Sequence, residues 1–323
     1  MECSLVKINN VKKYFPLKGG FWGLTVGMLK AVDGVSFSIK GGETLGLVGE
    51  SGCGKSTLGK CILRLIDSTD GEIVFDDRNI TRLKRSELRN LRGQMQIVYQ
   101  NPLSSLNPSM RVVDIVGRAI DIHTKPLRRD RDKMVVDVLE LVGLGKEDLF
   151  KFAREFSGGQ QQRIAIAKVL SIRPRFIFFD EPTASLDVSI QAQIVNLLLD
   201  LKRKLDLTYL FVSHNLALVR QVSEQVGIMY LGKVVEMGER GKLYKSTLHP
   251  YTKALFSAIP AYHPNLKRKR ILLHGDVPSA IDLPNGCRFY SRCSCRERIC
   301  NDAEPELIEA EHGHYVACHL YGR

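Results

Sequence analysis

The chain has 323 residues, 44% hydrophobic and 25% charged, which is room for one large domain plus a smaller one. No apolar run approaches the roughly 18 residues that cross a bilayer, and no basic start followed by an apolar core is visible, so neither a spanning helix nor a secretory leader is expected and the chain is placed in the cytosol. The formal charge of +12 invites anionic partners, but the densest basic runs (residues 125–133 and 267–270) lack interleaved aromatics for base stacking, so nucleic acid is not expected among them.

In chain order, the first ~240 residues alternate strand-like and helix-like segments, as an α/β core does. "TLGLV" (44–48) reads as a buried strand that runs into "GESGCGKST" (49–57), a match to G-x-x-x-x-G-K-[ST]. Glycines at 49, 52 and 54 let the backbone curl so that the N–H groups of Gly49, Glu50, Ser51, Gly52, Cys53 and Gly54 face a phosphate. Lys55 brings a cation to the outer phosphates, Ser56 a hydroxyl for Mg²⁺, and Thr57 continues into a helix whose N-terminus adds positive charge. Cys53 reads as a small filler. "QIVYQ" (96–100) is a second strand ending at Gln100. Residues 101–168 read mostly as helix, an insert that interrupts the sheet.

"FSGGQQQR" (156–163) places Ser157, Gly158, Gly159 and Gln160 at a helix start, a second backbone site for an anion. One chain with one P-loop holds one triphosphate, so this second site is expected to face the nucleotide of another subunit. "FIFFDEP" (176–182) is an apolar strand ending in acid: Asp180 is expected to hold Mg²⁺, and Glu181 to polarise the water that attacks the γ-phosphate. "LTYLFVSH" (207–214) is a further strand, and residues 225–238 a hairpin turning at Gly232. After residue 245 Pro, Cys, His and charge rise and apolar periodicity fades, so a boundary is expected there, dividing 1–245 from a small Cys-rich accessory domain over 246–323.

Five of the eight cysteines fall in that tail: Cys287, Cys293, Cys295, Cys300 and Cys318, spaced C-x5-C-x-C-x4-C-x17-C. Clustered thiols in a cytosolic chain point to metal. The spacing matches neither a zinc ribbon nor a bacterial ferredoxin, so it leaves zinc, an iron–sulfur cluster, free thiols and disulfides open.

Together these motifs resemble the ATP-binding cassette (ABC) ATPases over about residues 4–240, with the fold that implies: a RecA-like P-loop core, an antiparallel β subdomain and a helical subdomain. The resemblance implies that Gln100 is the Q-loop glutamine that senses Mg²⁺ and the membrane partner. It makes Ser157, Gly158, Gly159 and Gln160 the signature sequence, and "ASLD" (184–187), ending in Asp187, the D-loop across the dimer interface. His214 becomes the switch histidine on the γ-phosphate, and Tyr14 or Phe15 the aromatic that stacks on adenine. "YQNPLSSLNPSM", "DEPTASLDVSIQAQIVNLL" and "HPYTKALFSAIP" narrow it to the ATPase subunits of prokaryotic oligopeptide/dipeptide importers. The long loop "PLKGGFWGLTVGMLK" (16–30) is similar to that of one of their two paralogous ATPases. One departure is Gln161, where relatives commonly carry Arg.

For this chain the resemblance implies Mg²⁺-dependent ATP hydrolysis that drives peptide import from the cytoplasmic face of the membrane. The expected partners are a paralogous ATPase subunit in a heterodimer, two transmembrane permease subunits and, indirectly, an extracytoplasmic binding protein. It further implies that Cys287, Cys293, Cys300 and Cys318 ligate a [4Fe–4S] cluster, with Zn²⁺ as the alternative and Cys295 spare. Two other readings remain weaker. An ABC ATPase acting on nucleic acid or ribosomes usually carries two cassettes or a long coiled coil, and a binding-only scaffold would not need Glu181 and His214.

Overall fold

The computed structural model describes residues 4–19, 24–124, 127–258, 270–273, 275–276, 278–281 and 283–322. Residues 20–23 of the long N-terminal loop and 267–269 of the second basic run lie outside them. The chain forms two compact units. One gathers residues 1–5, 39–44 and 82–213; the other gathers 6–38, 45–81 and 214–323.

The first unit holds parallel strands that read as continuous apolar runs, because both faces are covered. Phe176–Asp180 is buried along its whole length and pairs with Met95–Val98 on one side and Thr208–Val212 on the other. The second strand ends at Val98, so Gln100 lies two residues beyond it rather than at its end. Three helices of the expected insert, Val112–His123, Arg128–Leu141 and Gly158–Leu170, pack on one another in this unit.

The second unit holds an antiparallel sheet made of Ser4–Gly19, Leu24–Lys40, Asp70–Phe75 and Arg78–Asn79. It also holds the buried strand Thr44–Val48, parallel to Gln225–Tyr230. Gln225–Tyr230 turns through Leu231 (φ +42°) and Gly232 (φ +84°) into Lys233–Glu239. This is the left-handed pair that a tight hairpin requires and that places a glycine at its second position.

The two units do not follow a 1–245/246–323 division. His314–Val316 pairs antiparallel with Lys233–Glu239, and Ile308–Glu311 pairs with His314–Val316, so the tail extends a sheet begun before residue 245. Composition changes there, but the unit does not, because the strand edge at 233–239 must be covered.

Glu236 anchors that seam. Its carboxylate is fully buried and accepts from the backbone N–H of Leu248 at 2.8 Å, from that of His249 at 2.9 Å, and from Nε2 of fully buried His314 at 2.8 Å. A buried charge survives only when its acceptor sites are filled. Glu236→Ala orphans all three donors and is expected to lower unfolding stability by about 3 kcal/mol. Denaturant unfolding checks this, and a loss below about 1 kcal/mol would remove Glu236 as the anchor.

Candidate nucleotide site

In the second unit, Thr44–Val48 delivers the chain into the glycine loop and the helix Lys55–Ile62. A Cβ at Gly49 would overlap the carbonyl oxygen of Met229. One at Gly54 (φ +106°) would overlap that of Ala31. Both positions therefore exclude any side chain, and the loop curls as the sequence pattern requires. Lys55 is buried, and its Nζ donates to the carbonyls of Gly49 at 2.7 Å and Glu50 at 2.9 Å, which holds the cation at the mouth of the loop. No side chain caps the helix. A helix start of this kind, with its positive end turned to the loop, is the arrangement that takes up a phosphate. Ser56 and Thr57 are half-buried, while Ser51 and Gly52 are exposed. Cys53 packs beneath the loop, and burial pushes its thiol up, consistent with a filler.

Tyr14 and Phe15, adjacent on one strand, point to opposite faces. The Tyr14 hydroxyl donates to Asp33, and burial, then that partner, push it far above the ordinary phenol range. Phe15 shares its face with Lys13, whose ammonium lies 4.9 Å from the Phe15 ring centre. The charge of Lys13 also acts on the thiol of Cys61, on the helix that follows the glycine loop. Tyr14 belongs to a polar cluster with Asp33 and Arg288. His214 is exposed and stands just before Asn215, whose side chain accepts from Ala217 and Leu218 and starts the helix Leu216–Val222.

In the first unit, Asp180 is buried at the end of its strand, and its charge reaches the phenol of Tyr99. Glu181 follows with φ +50°, a left-handed conformation that costs a non-glycine residue about 1 kcal/mol. Its N–H donates to Val212 at 3.0 Å, which holds the turn. Beyond it, the Gln191 side chain donates to the carbonyls of Thr183 at 3.0 Å and Leu186 at 2.9 Å, bracing the loop that leads to Asp187 at the start of Val188–Leu205. The hydroxyl of Ser185 lies 3.4 Å from the carbonyl of Gln100.

Ser157 and Gln160 cap one another. The Ser157 N–H donates to the Gln160 side-chain oxygen at 3.0 Å, and the Gln160 N–H to the Ser157 hydroxyl at 3.4 Å, so the exposed Ser157–Gly158 turn is fixed. A Cβ at Gly159 would strike Ile190. Gln161, the departure from the family pattern, is buried and donates to Ala153 and Phe156, both at 3.1 Å. It stitches the turn that leads into the helix instead of facing outward. The structure thus brings Gln100, Ser157, Gly158, Gly159, Gln160, Asp180, Glu181 and Asp187 into one unit. Phe15, the glycine loop, His214 and the tail cysteines share the other.

Cys287, Cys293, Cys295, Cys300 and Cys318 line one small pocket with His249, Tyr290 and His319. Burial foremost, then the neighbouring sulfurs, push up the thiols of Cys287 (to about 11), Cys293 and Cys318. Among the described residues no three His, Cys, Asp or Glu side chains are grouped to hold a metal ion.

Sequence reasoning missed the residues that tie this tail to the glycine loop. Phe289 packs against Tyr230 and Tyr251, with ring centres 5.4 and 5.5 Å apart. The Tyr251 hydroxyl accepts from the N–H of Glu50 at 3.0 Å. Arg292 grips the Glu50 carboxylate through both terminal nitrogens, at 2.8 and 3.2 Å, and that bond holds its guanidinium firmly charged. Buried Arg288 pairs with Asp33 and donates to the carbonyl of Leu231. No local periodicity marks these contacts, which join positions 242 and 255 residues apart. The signal that was available is the spacing of two arginines among cysteines in "GCRFYSRC".

Comparison with known proteins agrees with this geometry. Residues 32–184 match the family described as "ABC transporter", and residues 235–300 the one described as "Oligopeptide/dipeptide transporter, C-terminal region". The chain is 46% identical to the oligopeptide transport ATP-binding protein AppF of Bacillus subtilis, over 98% of each chain. It is 48% identical to the putative oligopeptide transport ATP-binding protein YkfD of the same organism, over 91% of this chain and 90% of that one. Among solved structures, the dimeric post-hydrolysis cassette MJ0796 bound to ADP and Pi is similar at 28% identity with a TM-score of 0.64, over 73% of this chain and 98% of that one. CbiO1 from Clostridium perfringens, part of a CbiONQ transporter, is similar at 27% identity with a TM-score of 0.65, over 75% of this chain and 91% of that one. Among the described residues no helix is long and apolar enough to cross a membrane. The chain belongs to the family of ATP-binding subunits of oligopeptide/dipeptide ABC transporters, ATPases whose hydrolysis of ATP is coupled to transport.

Proposed function

We propose that this subunit powers the import of di- or oligopeptides from the cytoplasmic face of a membrane. In this reading it pairs with a paralogous ATPase beneath two permease subunits that are fed by an extracytoplasmic binding protein. The observation that carries the reading is the glycine loop with Lys55 folded into its mouth, in a chain matched almost end to end by relatives named for oligopeptide transport. The amides of residues 49–54 and the helix start cradle the phosphates of ATP, and Lys55 neutralises their charge. Phe15 stacks on the adenine, while Tyr14 serves the polar cluster at Asp33. Ser56, Asp180 and Gln100 supply hard oxygen ligands that suit Mg²⁺, which when bound offsets charge on the phosphates.

Glu181 polarises the attacking water and His214 contacts the γ-phosphate. The Ser157–Gly159 turn, with Gln160, caps the ATP of the partner cassette, and Asp187 crosses the interface. Closure of the pair around ATP and reopening after hydrolysis then drive the permeases between access states. Catalysis of this kind rests on positioning and charge neutralisation. The left-handed backbone at Glu181 supports the assignment, because strain of that sort persists where a side chain must be aimed.

The tail, about residues 246–323, is proposed as an accessory segment that holds a [4Fe–4S] cluster through Cys287, Cys293, Cys300 and Cys318, with Zn²⁺ as the alternative occupant. The donor chemistry suits it: four buried or half-buried thiols share one pocket. When bound, the cluster would cross-link the tail. Cys295 is exposed and spare.

Glu181→Gln is expected to leave ATP binding intact, lower turnover by at least about a hundredfold, and accumulate an ATP-trapped closed dimer. Steady-state hydrolysis and gel filtration with ATP test this, and normal hydrolysis would reject the role. Phe15→Ala is expected to weaken nucleotide binding about tenfold while Tyr14→Phe leaves it within about twofold. The reverse order, by titration of a fluorescent nucleotide, would exchange the two assignments. Anaerobically purified protein is expected to be brown with about four irons per chain. Cys300→Ser should lose that iron and Cys295→Ser keep it, whereas stoichiometric zinc without iron would reject the cluster.

A further inference from the structure

Glu50 places a carboxylate within the phosphate loop. Its carbonyl accepts from Lys55 at 2.9 Å and its N–H donates to Tyr251 at 3.0 Å, so its backbone is part of the loop that meets the phosphates. Its carboxylate adds a negative charge next to the place where a nucleotide brings several more. Like charges brought close in a partly dry site repel. The structure contains one answer to that repulsion. Arg292, with a side chain only 8% exposed, meets both carboxylate oxygens of Glu50 at 2.8 and 3.2 Å, the bidentate fork that fits a carboxylate best. Arg292 lies in the tail, next to Cys293. Its segment is pinned at the other end by Arg288, next to Cys287, which pairs with Asp33 and with the carbonyl of Leu231. Gly232, the next residue, donates to the carbonyl of Cys53 at 2.9 Å. Two arginines spaced through a cysteine turn thus reach the same loop by separate routes, one through charge and one through backbone.

We propose that Arg292 is a positioning residue for ATP: it neutralises Glu50 and holds it away from the phosphates, so that the folded state of the tail sets the affinity of the P-loop for nucleotide. The proposal rests on nucleotide binding at residues 49–57 and not on which metal, if any, the cysteines hold. A turn that loosens around Cys287 and Cys293 withdraws the guanidinium and leaves a bare carboxylate in the cradle. A turn that is pinned removes it. By linkage, nucleotide binding favours the pinned tail to the same degree.

The test separates charge from mere folding. In the full-length chain, Arg292→Ala is expected to weaken MgADP binding about tenfold by calorimetry, and to raise KM for ATP with kcat within about twofold. Glu50→Gln alone is measured as the reference against which the double variant is read. The double variant Arg292→Ala/Glu50→Gln should regain the affinity that Arg292→Ala lost, because the repelling charge has gone with its partner. Where Arg292→Ala does not fold, Arg292→Gln keeps the bulk and hydrogen bonds without the charge and is read in the same way. Unchanged affinity in the single variant, or a double variant as weak as it, would overturn the proposal. Failure of all variants and the parent to bind nucleotide would instead overturn the P-loop assignment beneath it.

Discussion

The tightest constraint in the second unit is the approach of its own backbone to the phosphate loop. At Gly49 and Gly54 a single added carbon would enter the carbonyl oxygens of Met229 and Ala31, and Gly54 holds φ +106° as well. Those carbonyls belong to different elements, the strand Gln225–Tyr230 and the strand Leu24–Lys40. The curl of the loop is therefore an outcome of how three strands meet, and the two glycines are the condition for their meeting. With the curl fixed, Lys55 can reach back to Gly49 and Glu50, and the helix that follows presents uncapped amides. A substitution at either glycine would disturb packing and chemistry together, since the same atoms serve both.

A second layer depends on that loop. Tyr251 and Arg292 hold Glu50, Gly232 holds Cys53, and Arg288 holds Asp33, which in turn takes the hydroxyl of Tyr14. None of these groups bears catalytic chemistry. They turn a flexible glycine loop into one with several fixed points, which matters because glycine gives up more conformational entropy than any other residue on ordering. Arginine suits the task better than lysine. A lysine could meet one oxygen of Glu50 but not hold both in a plane, and its more strongly hydrated ammonium would lose more on entering a site this dry.

Much of this was legible in the sequence and some was not, for physical reasons that differ by residue. The glycine loop, the Asp180–Glu181 pair after an apolar strand, and the Ser157 cap are local: residue type and spacing determine what the backbone does within a few positions. The turn at Gly232 is the same kind of feature. The strand ends at Val98, two residues short of the 96–100 run, because its ladder with Phe176–Asp180 stops at Val98 while Tyr99 and Gln100 keep strand-compatible side chains. A boundary near residue 245 follows from composition but not from the sheet, because a strand of three residues, His314–Val316, is too short to show periodicity and is specified by the exposed edge it covers. Nothing local in residues 225–238 marks Glu236 as buried; its partners at 248, 249 and 314 are distant in sequence.

Gln161 shows how a departure from a family pattern can be settled by position. On a helix that begins at Gly158, the residue after Gln160 points inward, toward the turn at Ala153–Phe156, and not toward the surface that Ser157 and Gly158 present. An amide there donates to the backbone carbonyls of Ala153 and Phe156. An arginine could reach the same carbonyls, but in this buried position it would bring a charge needing further acceptors. Gln161 thus braces the turn that carries Ser157 without placing a charge beneath it.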